Sequence, residues 1–284
     1  MNNQPDARIA FIGGGNMARA LIGGLLREGA SGQHLCVGEP DPGARAGLER
    51  EFAVRTTADN GEAIRDATLV VLAVKPQVIA PVLDDLRAAW PAPAPTLLSI
   101  VAGLRIADLA RLCPPSLTIV RAMPNRPALV GAGVTALYAA STVTAAQRVL
   151  AERVARAAGR FIWLRAESEL DIVTALSGSG PAYFFLLAEQ LARAAIALGL
   201  EPDTATLLAA ETLRGSGALA RGGAALAEQR AAVTSKGGTT QAALDFLEAG
   251  GFDALIGGAL RAAATRSAEL ADMAASGLRP HRNA

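Results

Sequence analysis

Over the first half of this chain, short, uniformly apolar runs alternate with stretches of helical periodicity; over the second half only the helical pattern persists. Ile9 to Ile12 is the first such run. It enters the glycines Gly13 to Gly15, after which Met17, Ala20, Leu21, Gly24 and Leu25 recur at helical spacing. The pattern predicts a strand, a tight turn and a helix. His34 to Gly38 reads as a second strand, and a short third lies near Ala53 to Arg55. Asp59-Asn60-Gly61-Glu62 then has the form of a helix-capping box. Thr68 to Val74 is the cleanest buried strand, and Lys75-Pro76 stops it because proline cannot donate to a strand ladder. A helix near Val78 to Ala89, a strand from Thr96 to Val101 and the turn Ala102-Gly103 repeat the plan. Leu117 to Ala122 is a further strand, ending in the proline-stiffened loop Met123 to Pro127. Gly133 to Tyr138, a helix from Thr144 to Ala157 and Phe161 to Leu164 complete the series.

From Glu167 onward the strand-like runs vanish. Helices are expected over Ile172 to Leu176, Ala182 to Leu198, Pro202 to about Leu219, Gln241 to Ala249 and Phe252 to Met273. Several are alanine-rich and apolar on more than one side, so a single layer of them would leave apolar surface uncovered. A homodimer or higher homo-oligomer packed through this half is the expectation. The fold class is therefore α/β: an N-terminal Rossmann-type, doubly wound, mainly parallel sheet over residues 1–165, followed by an all-α dimerisation domain over residues 166–284.

Composition narrows the function. A chain of 284 residues is long enough for two cores, and an apolar content of 51% with a net charge of +1 excludes disorder and a basic nucleic-acid footprint. Met1 to Arg8 is polar without an apolar signal core, and no run is read as reaching membrane-spanning length. A cytoplasmic protein with no nucleic-acid or membrane partner is expected. Cys36 and Cys113 read as small core or boundary residues rather than a redox pair. Of the 27 basic residues only Lys75 and Lys236 are lysines, and both fall in loops that other arguments single out.

The glycine turn is the first of these places. A strand passing through a glycine turn into a helix aims backbone N–H groups, at the positive end of the helix dipole, at one point. Gly13 permits the turn, Gly15 lets a pyrophosphate approach, and Ala18 lets helix and strand pack closely. Glu39 closes the next strand, where an acid accepts hydrogen bonds from a ribose 2′-hydroxyl and repels a 2′-phosphate. Arg45 lies near enough in sequence to meet a phosphate instead, so the cofactor reads as NADPH or NADH. Lys75 is placed at the carboxyl end of its strand, where ligands of such sheets bind.

Two loops of the helical half carry further chemistry. Leu176-Ser177-Gly178-Ser179-Gly180-Pro181 interrupts one helix and starts another, and Val233-Thr234-Ser235-Lys236-Gly237-Gly238-Thr239-Thr240 has the make-up of a nest for a small carboxylate. His34 and His281 occupy a strand edge and a polar tail, and no metal-ligand spacing occurs. Carbonyl reduction wants a strong proton donor, whereas a protonated imine already accepts hydride. Hydroxyls beside a carboxylate nest therefore suit C=N reduction better than C=O reduction.

These residues resemble the pyrroline-5-carboxylate reductase family nearly end to end. The likeness runs through Phe11-Ile12-Gly13-Gly14-Gly15-Asn16-Met17-Ala18, Ala73-Val74-Lys75-Pro76, Arg121-Ala122-Met123-Pro124-Asn125, Ala175 to Tyr183 and Val233 to Thr240. The resemblance implies NAD(P)H-dependent reduction of 1-pyrroline-5-carboxylate to L-proline, the last step of proline biosynthesis. It implies that Val233, Ser235, Lys236, Gly237, Gly238 and Thr239 hold the substrate, with Thr240 hydrogen-bonding the imine nitrogen as the catalytic residue. Asn60, the Ala73-Val74-Lys75-Pro76 turn and Ala102-Gly103 would join Gly13, Gly15, Asn16, Met17 and Glu39 around the cofactor. Lys236 stands where the family often has proline, Arg126 where it often has threonine, and Glu211 where it often has glutamine. Lys236 either strengthens carboxylate capture or faces water. A β-hydroxyacid dehydrogenase would carry a lysine on a helix early in the second domain, and a non-catalytic dinucleotide sensor would not need the hydroxyl-rich nest.

Overall fold

The computed structural model describes residues 7–277, so His281 and the first six residues lie outside the described residues. Eight strands form one sheet in the order β3-β2-β1-β4-β5-β6-β7-β8. They are β1 (Ile9–Ile12), β2 (Leu35–Gly38), β3 (Arg55–Thr57), β4 (Leu69–Leu72), β5 (Thr96–Ser99), β6 (Thr118–Met123), β7 (Gly133–Ala139) and β8 (Gly159–Trp163). The strands β1 to β6 run parallel; β7 is antiparallel to β6 and parallel to β8. Helices α1 (Asn16–Arg27), α2 (Pro42–Phe52), α3 (Asn60–Ile64), α4 (Ile79–Asp85), α5 (Ile106–Leu112) and α6 (Ala145–Ala157) make the connections.

Both faces of the central strands β1 and β4 are covered, which is why these strands read as unbroken apolar runs rather than as an alternation. Ile9, Phe11, Leu69 and Val71 join one core cluster with Leu21, Ile22 and Leu25 of α1 and Val154 of α6. Ala10, Ile12, Val70 and Leu72 point the other way, into a cluster with Ile64, Ile79, Leu83 and Leu109. The helix α1 packs closely on α6: a Cβ on Gly24 would stand 2.0 Å from the Ala157 carbonyl oxygen.

Several sequence boundaries move for local reasons. His34 lies in a 3₁₀ turn, Gly32–His34, and the second strand starts at Leu35. Ala53 is the left-handed C-cap of α2 (φ 52°), donating to the Glu49 carbonyl, so the third strand begins only at Arg55. The capping box at Asp59 is half formed. Asp59 Oδ1 accepts from Gly61 N at 2.8 Å, but Glu62 turns to accept from the Thr57 hydroxyl at 2.6 Å.

The chain divides into two compact units. One comprises the residues up to Gly178 together with those from Ala263 onward, and the other is Ser179–Ala262. The first unit includes α7 (Glu169–Val173) and a π-helical turn, Thr174–Gly178. The second holds α8 (Gly180–Ala197), α9 (Pro202–Ala220), α10 (Leu226–Ala232), α11 (Thr239–Ala249) and the start of α12 (Phe252–Gly277). The sequence pattern did not suggest α10. The stretch Leu176 to Pro181, expected as a loop, instead continues as helical turns, because the π turn absorbs the extra residue without releasing the helix. As a result Glu169–Ala197 is one helical stretch of 29 residues that contains an 18-residue window of mean hydropathy 1.3. By length and composition it suffices to cross a membrane, which corrects the expectation that no run reaches that length.

The second unit buries little on its own. Gly180 and Ala205 are the buried residues of α8 and α9, while Phe184, Phe185, Leu191, Leu207 and Phe246 are more than half exposed. Apolar surface on this scale marks an interaction face.

Candidate active site

The strand order reverses between β1 and β4, the place where ligands bind in doubly wound sheets. Ile12 and Leu72 are register partners, so the chain leaves both strands side by side as Gly13-Gly14-Gly15 and Ala73-Val74-Lys75-Pro76. Gly13 has φ +96° and donates to the Gly38 carbonyl at 2.8 Å. A Cβ there would stand 2.9 Å from both the Ala73 oxygen and Val74 Cγ1, so only glycine fits. Gly15 is the N-cap of α1, with no side-chain cap and nothing within 4 Å of an added Cβ. The first N–H groups of α1 and its positive dipole end therefore face open space, which fits a diphosphate. Asn16 is exposed, Met17 half-buried, and Ala18 buried behind them.

Glu39, directly after β2, reaches back to this turn. Its Oε2 accepts from Gly14 N at 2.8 Å and its Oε1 from Asp41 N at 3.1 Å. Gly14, not among the residues expected to meet the cofactor, is fixed by this contact and by Leu48, whose Cδ1 would lie 2.6 Å from a Cβ at that position. Asn60 opens α3, and its Oδ1 is buried with no hydrogen-bond partner. Such an orphaned acceptor beside a strand end is expensive unless a ligand donor satisfies it. Lys75 is exposed and caps a 3₁₀ turn, Pro76–Val78. Ala102 is exposed at the end of β5, and Gly103 (φ +76°) lies under the far end of α12, with Ala271 backbone atoms 3.6 Å from an added Cβ. Arg105 pairs with Asp272 at 2.7 Å, and the Ser267 hydroxyl donates to Asp171 Oδ1 at 2.7 Å, which ties the same helix down.

The motifs at the ends of β6 and α7 are joined by polar side chains whose partners the sequence did not name. Arg121, almost buried, meets Glu167 Oε1 at 2.8 Å, and the same oxygen accepts from Ile106 N at 2.7 Å. Asn125, buried, donates to the Ser177 carbonyl at 3.1 Å and accepts from Val134 N at 2.9 Å. Met123 lies against Gly178, where a Cβ would be 2.7 Å from its terminal methyl. The only sequence signal for this arrangement was a pair of unexplained polar residues inside apolar motifs.

In the second unit, Val233 to Gly238 connect α10 to α11. Gly237 has φ +73°, and Gly238 N donates to the Ser235 carbonyl at 3.0 Å. A Cβ on Gly238 would stand 2.3 Å from the Ser235 hydroxyl oxygen, so the close approach of that hydroxyl requires glycine. Gly238 is the N-cap of α11 and no side chain caps it, so the amides of Thr239 and Thr240 begin a helix of 11 residues with open donors. Thr240 is half-buried, while Ser235, Lys236 and Thr239 are exposed. The bend thus offers hydroxyls, amides and one ammonium within a few residues, as an anion site does.

Burial pushes the Cys113 thiol up to about 12 and raises that of Cys36, where the nearby Arg55 only partly offsets the effect. Both thiols stay protonated and unreactive at neutral pH. Among the described residues no three His, Cys, Asp or Glu side chains gather as a metal site would.

A glycine turn at the switch point of a doubly wound sheet, with an open helix N-terminus and an orphaned acceptor beside it, is the arrangement of a dinucleotide-binding domain. Comparison with known proteins agrees. Residues 8–103 match the family described as NADP oxidoreductase coenzyme F420-dependent, and residues 167–270 match that described as pyrroline-5-carboxylate reductase dimerisation. The chain is 44% identical to the pyrroline-5-carboxylate reductase of Pseudomonas aeruginosa over 266 residues, covering 93% of this chain and 97% of that one. It is 43% identical to that of Mycobacterium tuberculosis, with the same coverage. The solved structure of the Coxiella burnetii enzyme superposes with a TM-score of 0.89 at 39% identity, covering 93% of this chain and 98% of that one. The Plasmodium falciparum enzyme, solved with NADP bound, gives 0.80 at 26% identity and covers 95% and 100%. The chain belongs to the pyrroline-5-carboxylate reductase family.

Proposed function

We propose that this protein reduces 1-pyrroline-5-carboxylate to L-proline with NADPH or NADH. The observation that carries the reading is the full-length match to reductases of that name, which spans 93% of this chain and 97% of theirs. In this reading residues 1–165 bind the dinucleotide, and residues 166–284 bind the substrate and build the homodimer or larger ring.

Gly13 and Gly15 with the first amides of α1 would hold the diphosphate, supported by the uncapped helix start. Glu39 and Asn60 would meet the adenosine ribose. Asn16, Met17, Ala73 to Pro76, Ala102 and Gly103 would line the remainder. When bound, the reduced nicotinamide supplies the hydride. The substrate is a small ring carrying one carboxylate and one C=N bond. The amides and hydroxyls of Val233 to Thr239 are suited to the carboxylate, with the Lys236 ammonium adding charge at its edge. The Thr240 hydroxyl hydrogen-bonds the ring nitrogen and fixes which face of the imine carbon is presented. A protonated imine needs no further acid, so orientation and charge do most of the work.

The apolar faces of α8, α9 and α11 are read as the dimer interface, which also accounts for the long apolar stretch from Glu169 to Ala197 without a membrane. A cytoplasmic location and the absence of a nucleic-acid partner belong to the same reading. The test is direct: purified protein, pyrroline-5-carboxylate and each reduced nicotinamide in turn, with proline identified as the product. Oxidation of the nicotinamide without formation of proline would refute it.

A further inference from the structure

The carboxylate of Glu39 is held in place before any cofactor arrives. Both of its oxygens are engaged by backbone N–H groups, one on Gly14 of the glycine turn and one on Asp41. The group is half-buried against the turn that receives the dinucleotide and has little freedom to swing aside. Each oxygen keeps a second lone-pair direction for a further donor. A vicinal ribose diol supplies two such donors. A 2′-phosphate supplies none and brings a charge of about −1.5 to −2 against a fixed negative one.

Among the described residues, the arginines bonded to the segment that follows Glu39 are already engaged. The Arg45 guanidinium donates to the carbonyl oxygens of Glu39 and Pro40, both at 2.8 Å, so it is committed to the backbone of the same loop. Arg19 is taken by Glu51 at 2.6 Å and by the Ala44 carbonyl at 3.2 Å. Asp41 adds a second carboxylate, which accepts from Ala44 N at 2.6 Å to cap α2. A 2′-phosphate would meet Glu39 and Asp41 with both nearby arginines already occupied.

We propose that Glu39 makes this protein select NADH over NADPH, with Arg45 held away from a 2′-phosphate by the Glu39 and Pro40 carbonyls. The inference rests on the dinucleotide reading of the first domain, and the experiment keeps the two apart. NADH and NADPH are titrated separately into the purified protein without any imine, following nicotinamide fluorescence for the dissociation constants. The wild type should bind NADH at least about tenfold more tightly. Glu39→Gln, which keeps the size and removes the charge, should shrink that ratio about tenfold, chiefly by tightening NADPH. Glu39→Asp should keep the NADH preference. Arg45→Ala in the Glu39→Gln background should leave most of the gain in NADPH binding in place, because the Glu39 and Pro40 carbonyls that hold Arg45 are unchanged by Glu39→Gln.

Equal or tighter binding of NADPH by the wild type would overturn the proposal, as would a ratio unmoved by Glu39→Gln in a protein whose circular dichroism is unchanged. Failure of both dinucleotides to bind overturns it together with the reading beneath it. Tenfold NADH selectivity without reduction of pyrroline-5-carboxylate would support this inference and refute the proposed reaction.

Discussion

The side-chain amide of Asn125 bridges two motifs that lie 52 residues apart in sequence, donating to the Ser177 carbonyl at 3.1 Å while accepting from Val134 N at 2.9 Å. It thereby stitches the loop after β6 to the π turn, whose hydroxyls turn inward on the helix: Thr174 bonds the Leu170 carbonyl and Ser177 bonds that of Val173. A π turn leaves backbone groups poorly matched, and a buried amide that satisfies one of them stabilises it. Replacing Asn125 by alanine strands a buried donor and acceptor and should cost about 1–3 kcal/mol. Urea denaturation measures this directly, and a change within error would assign the contact no structural weight.

Gly24 tests the packing of the first domain. A methyl group there meets the Ala157 carbonyl at 2.0 Å, and both α1 and α6 are anchored in the same core. The helices must separate or the variant must unfold, so Gly24→Ala should lose about 1–3 kcal/mol or more. Stability equal to the wild type would show that the α1–α6 contact is looser than described.

Thr240 carries the chemical prediction. Thr240→Ala should lower kcat about ten- to hundredfold, the equivalent of one hydrogen bond to a charged nitrogen. Binding of the reduced nicotinamide, measured by fluorescence, should barely change. A variant that turns over at the wild-type rate removes Thr240 from the mechanism.

Lys236 is exposed at the edge of the same bend, so its contribution should be small and salt-dependent. Lys236→Ala is expected to raise the substrate KM about two- to fivefold at low ionic strength, with kcat unchanged. The difference should close as salt is added. An unchanged KM at low salt returns Lys236 to solvent.

The thiols give a check on burial. Cys113 is pushed up to about 12 by burial and Cys36 is raised as well, so the reactive thiolate is suppressed in the folded protein at pH 8. Alkylation by iodoacetamide should be slow until denaturant is added, and then complete at both positions. Fast modification of Cys113 in the native protein would contradict its burial at the C-terminal end of α5.

Much of the first domain was legible because its signals are local. A continuous apolar run such as Ile9 to Ile12 has to be a buried strand when both faces are covered, and Gly13 is fixed by a left-handed φ that other residues avoid. Long-range polar pairings were not legible. Nothing in the sequence says that Glu39 reaches Gly14, that Arg121 finds Glu167, or that Asn125 finds Ser177, because each is decided by how distant segments pack. The π turn escaped for a different reason. Ser and Gly between two helical patterns read as a break, whereas the Thr174 and Ser177 hydroxyls and Asn125 hold the turns together. In the second unit the helices were visible by periodicity, but α10 is short and polar enough to pass for a linker.

The most direct measurement is a steady-state assay in which pyrroline-5-carboxylate is the only oxidant and NADH or NADPH the only reductant. Stoichiometric conversion to L-proline, strongly reduced in Thr240→Ala without loss of dinucleotide binding, is the result predicted here. No proline with either cofactor, from protein that binds the dinucleotide, would contradict the account.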